Sequence, residues 1–156
     1  IMINNDAKIL LGSDLEETGN HLTGWSAIIQ SQNRPQGKCH IFKVPHHGSA
    51  DAHSHDVWDK MLDKDTIGLL TSKLGGRAAL PKDTDIIRLK SYTSNVFTTS
   101  VPKVKTERFD TAVEKTIKGV MKCRRPLRGE MGHIQIRFKM SSCDLNIGLK
   151  NPAVAL

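Results

Sequence analysis

Two short polar motifs follow apolar runs of the sequence and contain the side chains best suited to chemistry. The first is Gly-Ser-Asp-Leu-Glu at 12–16, and the second is Lys-Val-Pro-His-His-Gly-Ser at 43–49. A carboxylate such as Asp14 can bridge two cations, and a neutral imidazole is a good zinc ligand. Each motif alone also fits a turn or a solvated loop. Together, they indicate a metal site that contains Asp14 and one of His46 and His47.

The elements that must position these motifs follow from the hydrophobic pattern. Short apolar runs predict strands, and apolar residues at helical spacing predict helices between them. The alternation of strand and helix predicts an α/β protein with a sheet covered by helices, in which loops after parallel strands share one edge. The predicted strands are 8–12, 39–44, 66–71 and 95–99, and the predicted helices are 20–32, one that begins after Ser54, and 83–89.

The remaining sequence predicts a helix and a hairpin. Apolar residues recur at helical spacing between 111 and 121, where Thr111 and Glu114 have the spacing of a capping box. Residues 133–140 alternate apolar and polar side chains, which predicts a half-exposed strand that pairs with 144–149. No repeat or low-complexity segment interrupts the chain, so we predict a single domain over 1–156.

The positive charge is confined to one segment. The chain has 156 residues, 38% of them hydrophobic, and a formal net charge of +7. Residues 101–140 contain 11 basic and 4 acidic side chains, and the remainder is neutral overall. This segment predicts a surface for a phosphate-containing substrate or nucleic acid, with a solvated helix face as the alternative. Few aromatic residues lie near it, which argues against base stacking.

Other features limit the cellular setting. No apolar run approaches the ~20 residues of a membrane-spanning helix, and the first residues do not resemble a signal peptide. The three cysteines have no Cys-x-x-Cys spacing, which indicates free thiols in a reducing compartment. We therefore predict a cytoplasmic protein without a membrane span.

The two motifs carry a resemblance to a known family. A strand that ends in Gly-x-Asp-Leu-Glu, a helix, and a strand that ends in Val-Pro-His-His-Gly-Ser resemble the C-terminal half of metallo-β-lactamase-fold hydrolases. The most similar branch contains the metallohydrolase domain of the competence protein ComEC and the phosphorylcholine esterases. Residues 132–137 also resemble the closing strand of some members, so that the resemblance runs from Ile9 to Phe138. It implies half of an αββα sandwich, with a mixed sheet and helices on one face.

The resemblance also implies roles for individual residues. Asp14 matches the carboxylate that bridges two metal ions, and His47 matches the last ligand of the second ion. His46 would then contact the substrate or lie beside the ligands. The ions are divalent, with zinc favoured, and the implied reaction is attack of a metal-bound hydroxide on a phosphodiester or another ester.

One departure from the family is large. The signature His-x-His-x-Asp-His, which supplies most metal ligands, is missing, and no histidine precedes Asp14. His53-Ser54-His55-Asp56 is only superficially similar, and we interpret it as a helix N-terminus with solvated side chains. The site is therefore expected to be incomplete, and the chain alone inactive without an upstream half-domain or a second chain. The alternative is a non-catalytic binding or assembly module that uses 101–140.

Overall fold

The computed structural model describes residues 2–4, 7–73, 79–100, 110–121, 131–139 and 144–156. These ranges contain the strands β1 (Met2–Asn4), β2 (Ala7–Leu11), β3 (Cys39–Lys43), β4 (Leu62–Leu70), β5 (Val96–Thr98), β6 (His133–Lys139), β7 (Asp144–Lys150) and β8 (Val154–Ala155). The helices in the same ranges are α1 (Gly24–Gln30), α2 (His55–Lys60), α3 (Asp83–Lys90) and α4 (Thr111–Val120).

The main sheet is mixed and mostly parallel. Strands β2, β3, β4 and β5 lie side by side in parallel, and β8 adds to β5 antiparallel to make five strands. Strand β1 extends the sheet by pairing antiparallel with β2. Strands β6 and β7 form a separate antiparallel hairpin. The α/β class and every strand and helix predicted above are confirmed, whereas β1 and β8 were not expected.

The core lies where helices cover one face of the sheet. Phe42 of β3 is buried between two tryptophans, with ring centroids 6.1 Å from Trp25 of α1 and 5.4 Å from Trp58 of α2. Both pairs are edge-to-face, an arrangement that adds ~0.5–1.5 kcal/mol per pair to the burial itself. The other buried members of this cluster are Val44, Val57, Met61, Leu62, Leu70, Leu89 and Val96.

The opposite face of the sheet is also apolar. Successive side chains of a strand point to opposite faces, so the residues next to Phe42 and its partners face away from the core cluster. Ile41 and Ile67 are paired in register and buried there, and Leu69 and Phe97 are paired and half-buried. Leu11 of β2, paired with Lys43, is 54% exposed. This face therefore leaves part of its apolar surface in solvent.

The hairpin and α4 are less buried than the core. The apolar residues of β6 are paired with those of β7 as Ile134 with Leu149, Ile136 with Ile147 and Phe138 with Leu145. No residue of α4 is buried. Its N-cap is Asp110, whose carboxylate accepts a hydrogen bond of 2.8 Å from Ala112 N. The N-cap therefore lies one residue before the predicted Thr111, and because position N3 is then Val113, the predicted capping box of Thr111 and Glu114 was wrong.

No helix in the described part of the chain is both long and apolar enough to cross a membrane.

Candidate functional site

The two sequence motifs meet at the carboxyl edge of the sheet. Each follows one of the neighbouring parallel strands β2 and β3, and two backbone hydrogen bonds join them. Gly12 N donates to Lys43 O at 3.0 Å, and His46 N donates to Ser13 O at 3.1 Å. The sheet thus places the Asp14 loop directly beside the His46–Gly48 loop.

Gly12 is required for this close approach. A Cβ at position 12 would lie 2.7 Å from Pro45 Cδ and 2.9 Å from Lys43 O, which is closer than real Cβ atoms come. Ser13 then turns the backbone with a φ of 49°, and Asp14 projects into solvent. Any larger residue at position 12 would separate the carboxylate from the histidine loop.

The histidine loop has an unusual backbone. His46, His47 and Gly48 have φ values of 45°, 56° and 81°, so three consecutive residues are left-handed. Left-handed backbone costs a non-glycine residue ~1–2 kcal/mol and is concentrated at functional sites. The cost is offset by local bonds, since Gly48 N donates to Pro45 O at 2.9 Å and Ser49 N to His46 O at 3.0 Å.

A half-buried arginine also holds this loop. Arg88 of α3 donates from Nη2 to Gly48 O at 2.7 Å, and its Nη1 lies 2.9 Å from Oδ1 of Asp85. The buried Asp85 carboxylate in turn accepts from Lys82 N at 2.9 Å. Arg88, in the last turn of α3, therefore holds the carbonyl of Gly48, and Asp85 in the first turn holds Arg88.

His47 has the orientation of a metal ligand. Its Nδ1 lies 2.8 Å from the carbonyl oxygen of Thr71, the residue that follows β4. A carbonyl can only accept, so Nδ1 carries the proton and Nε2 keeps its lone pair. Metal-binding histidines usually donate the other ring N–H in this way, which fixes the tautomer and the ring.

His46 is tied to the first motif instead. Its Nδ1 lies 3.1 Å from Oε1 of Glu16, and both side chains are partly exposed. The two histidine rings have centroids 6.4 Å apart and point to different partners. The two adjacent histidines therefore contact different residues: His47 contacts Thr71, and His46 lies beside Glu16.

Two residues near the histidines were given no role by the sequence: Lys43, the first residue of the second motif, and Thr71, which lies outside both motifs. The Nζ of Lys43, at the end of β3, lies 3.3 Å from Thr71 Oγ1, which is itself 3.4 Å from His47 Nδ1. Burial lowers the pKa of the Lys43 ammonium, and the negative charge of Asp14 partly opposes that shift. The signal was available in principle, because Lys43 and Thr71 both lie where parallel strands end.

The described residues supply only part of a metal centre. Nowhere in the described ranges do three or more His, Cys, Asp or Glu side chains lie together so as to hold a metal ion. Asp14 and His47 offer a carboxylate and an imidazole, which suit a divalent ion, but a catalytic zinc normally has three protein ligands. The described residues therefore do not form a complete metal centre by themselves.

His53 and His55 are not merely solvated, contrary to the interpretation of this segment given above. His53 Nε2 and His55 Nδ1 both contact the hydroxyl of Tyr92. His55 is exposed and His53 is half-buried.

Of the basic segment 101–140, the structure describes 110–121 and 131–139. Lys118 is exposed on α4, and Arg137 is exposed on β6. The densest basic cluster of the sequence, Lys122, Arg124, Arg125 and Arg128, lies outside the described residues.

Comparisons of the chain with protein-family models, with curated proteins and with solved structures find no match.

Proposed function

We propose that this chain forms the C-terminal half of a metallo-β-lactamase-like hydrolase that uses two divalent ions, zinc in the first instance, to cleave a phosphodiester or another ester. The observation that carries the proposal is the junction of the two motifs. The Ser13–His46 hydrogen bond holds the Asp14 loop against the histidine loop, and the Thr71 carbonyl leaves His47 Nε2 available to a metal.

Each residue of the junction has a task in this proposal. Asp14 and His47 hold metal ions, which when bound act as Lewis acids and activate water. Thr71 orients the His47 ring through its carbonyl oxygen. Lys43 places a half-buried positive charge near Asp14, where it attracts an anionic ester. His46, held near Glu16, lies beside the ligands and contacts the substrate.

The exposed face of the sheet supports the half-sandwich architecture. Leu11, Leu69 and Phe97 lie opposite the core cluster, and none of them is fully buried. Two sheets that pack face to face cover such apolar faces. A second layer, from an upstream half-domain or a second chain, would cover this face and supply the missing ligands.

The test uses a protein that contains this chain together with the sequence encoded immediately upstream of it. With zinc, it should hydrolyse bis(p-nitrophenyl) phosphate. Asp14→Ala should abolish turnover because a bridging carboxylate holds both ions, whereas Glu16→Ala should have a smaller effect. Asp65→Ala is the matched control, because this carboxylate is exposed in β4, away from the carboxyl edge. Equal activity of the Asp14→Ala and Asp65→Ala proteins would refute the assignment.

The chain by itself offers a second test. With two ligands, it should bind zinc weakly and lack hydrolase activity. His47→Ala should lower the bound zinc more than His46→Ala does, as measured by equilibrium dialysis. The reverse order would show that His46 is the ligand.

A second candidate function is a non-catalytic binding or assembly module that uses 101–140. Two observations favour it: the net charge of the chain lies in this segment, and α4 exposes Val113, Val120 and Met121 along one side. An amphipathic helix without a buried residue is typical of a surface that packs on a partner. Binding of nucleic acid or a partner by a chain with Asp14→Ala and His47→Ala would favour this candidate over the hydrolase.

A further inference from the structure

Another group of metal-binding side chains lies on the helical side of the sheet, apart from the two motifs. His53 follows a short 3-10 turn, His55 begins α2, and Tyr92 follows α3. His53 Nε2 lies 3.3 Å from the Tyr92 hydroxyl oxygen, and His55 Nδ1 lies 2.9 Å from the same atom. Two histidine nitrogens, from different positions in the chain, therefore lie beside one phenol oxygen.

The core holds the phenol of this group in place. The ring of Tyr92 stacks on Trp58, with centroids 4.9 Å apart and an interplanar angle of 19°. Trp58 is buried and packs against Phe42 at the centre of the core. The position of the Tyr92 hydroxyl is thus fixed by buried rings, which provides the rigid support that a metal site needs.

A positive charge lies near His53, because the Arg88 guanidinium acts on it electrostatically. The charge of Arg88, which opposes any cation nearby, is partly balanced by Asp85 at 2.9 Å.

The separations from the Tyr92 oxygen to the two nitrogens are close to those around a single ion. Two atoms bound at about 2.0–2.2 Å to one metal lie about 3.0 Å apart at a right angle and about 3.4 Å apart at the tetrahedral angle. The observed 2.9 and 3.3 Å each lie about 0.1 Å below these two values. We propose that His53 Nε2, His55 Nδ1 and Tyr92 Oη form a binding site for a divalent transition-metal ion, independent of the site at Asp14 and His47.

The surroundings leave room for such an ion. A surface pocket of about 260 Å³ reaches His55 and Tyr92 but not His53, and two carboxylates and two ammonium groups line it, those of Asp59, Asp63, Lys38 and Lys64. Water from this pocket can complete the coordination on the side of His55 and Tyr92. Imidazole nitrogen suits zinc, copper and nickel, so the expected ligand is an ion of this class.

The experiment is a titration of the full chain with Zn²⁺, followed by long-range ¹⁵N–¹H NMR of the histidine rings. The proposal fixes which nitrogen responds: His53 should coordinate through Nε2 and His55 through Nδ1, and their signals should shift together at one stoichiometry. Tyr92→Phe removes only the oxygen and keeps the stacked ring, so it should weaken this site at least tenfold without unfolding. His21→Ala, which removes an exposed histidine, is the control and should change nothing.

The outcomes separate this proposal from the proposed function. His53 and His55 signals that stay in place while Zn²⁺ shifts His47 would overturn the new site and leave the hydrolase proposal intact. The new site is also overturned by equal Zn²⁺ affinity of the Tyr92→Phe and unaltered chains. Retention of the His53 and His55 shifts in a chain with Asp14→Ala and His47→Ala is the result expected for an independent site.

Discussion

Substitution of Gly48 by alanine tests how tightly the histidine loop is built. Gly48 has a φ of +81°, and a Cβ placed there would lie 2.6 Å from Leu70 Cδ2 and 3.4 Å from Leu89 Cδ1. Both leucines are almost fully buried in the core, so neither can move aside freely. The added methyl group must therefore push into packed side chains.

The expected loss has two parts. Left-handed backbone costs alanine about 1 kcal/mol relative to glycine. Overfilling a packed core adds ~1–3 kcal/mol, so that Gly48→Ala should lower the free energy of unfolding by ~2–4 kcal/mol in total. Gly19→Ala is a matched control, since Gly19 has a φ of +72° but a Cβ placed there would meet no atom within 4 Å. It should lose only the backbone part, about 1 kcal/mol.

Urea denaturation of both variants, followed by tryptophan fluorescence, measures the difference. Trp25 and Trp58 are both buried in the core, so their emission reports its unfolding. Unfolding midpoints at an unchanged m-value convert directly into free energies. If Gly48→Ala is no more destabilising than Gly19→Ala, the close packing of this loop on the two leucines does not contribute to the free energy of unfolding, and the prediction is wrong.

Three further predictions concern pH, association and charge. Burial lowers the pKa of His53 from its ordinary value to about 4, so between about pH 6.5 and pH 4 the unfolded chain binds more protons than the folded one. The free energy of unfolding should therefore fall as the pH is lowered through this window. The urea midpoints of the unaltered and His53→Gln chains should converge at low pH. The isolated chain should dimerise or aggregate through its exposed apolar faces, and Leu11→Lys should lower the average mass measured by light scattering. A monodisperse monomer of the unaltered chain would contradict this expectation. Any DNA binding by the basic segment should weaken with salt, with a slope of log K against log salt of roughly −3 to −4 for about four phosphate contacts. The double substitution Arg124→Ala and Arg125→Ala should reduce the magnitude of that slope by about two units. An affinity that does not change with salt would count against electrostatic binding.

The local pattern of the sequence predicted most of the fold. Strands β2 to β5 and helices α1 to α3 have strong periodicity and turn signals, so they were predicted to within a few residues. The largest difference at a strand start among them is in β4, which begins at Leu62, four residues before the predicted start. Strands β1 (Met-Ile-Asn) and β8 (Val-Ala) were missed because they lack the run of β-branched and aromatic residues that indicated β5 (Val-Phe-Thr), which is also only three residues long. Such short strands exist only through their partners, and pairing between distant segments leaves no local signal.

The candidate site was predicted in part for a similar reason. The carboxyl ends of adjacent parallel strands must meet at one edge, so the neighbourhood of the Asp14 and histidine loops followed from the strand pattern. The Thr71 carbonyl and the Arg88 guanidinium could not be found this way, because their contacts with the loop depend on side-chain and backbone geometry across three elements. The left-handed backbone at His46 and His47 also could not be predicted, because a histidine in the sequence does not by itself indicate this conformation.

The order of the strands has a consequence for synthesis on the ribosome. Strands β2 to β5 stand in the sheet in the order in which they are translated, so each can pair with the strand made just before it. Strand β8 breaks this order, because it pairs with the edge of β5 only after the β6–β7 hairpin has been made. At this edge, Leu156 N donates to Val96 O at 2.8 Å. A nascent chain paused between β5 and β8 thus presents an open sheet edge, the kind of surface that pairs with other chains. Completion of β8 therefore closes this edge of the sheet against pairing with another chain.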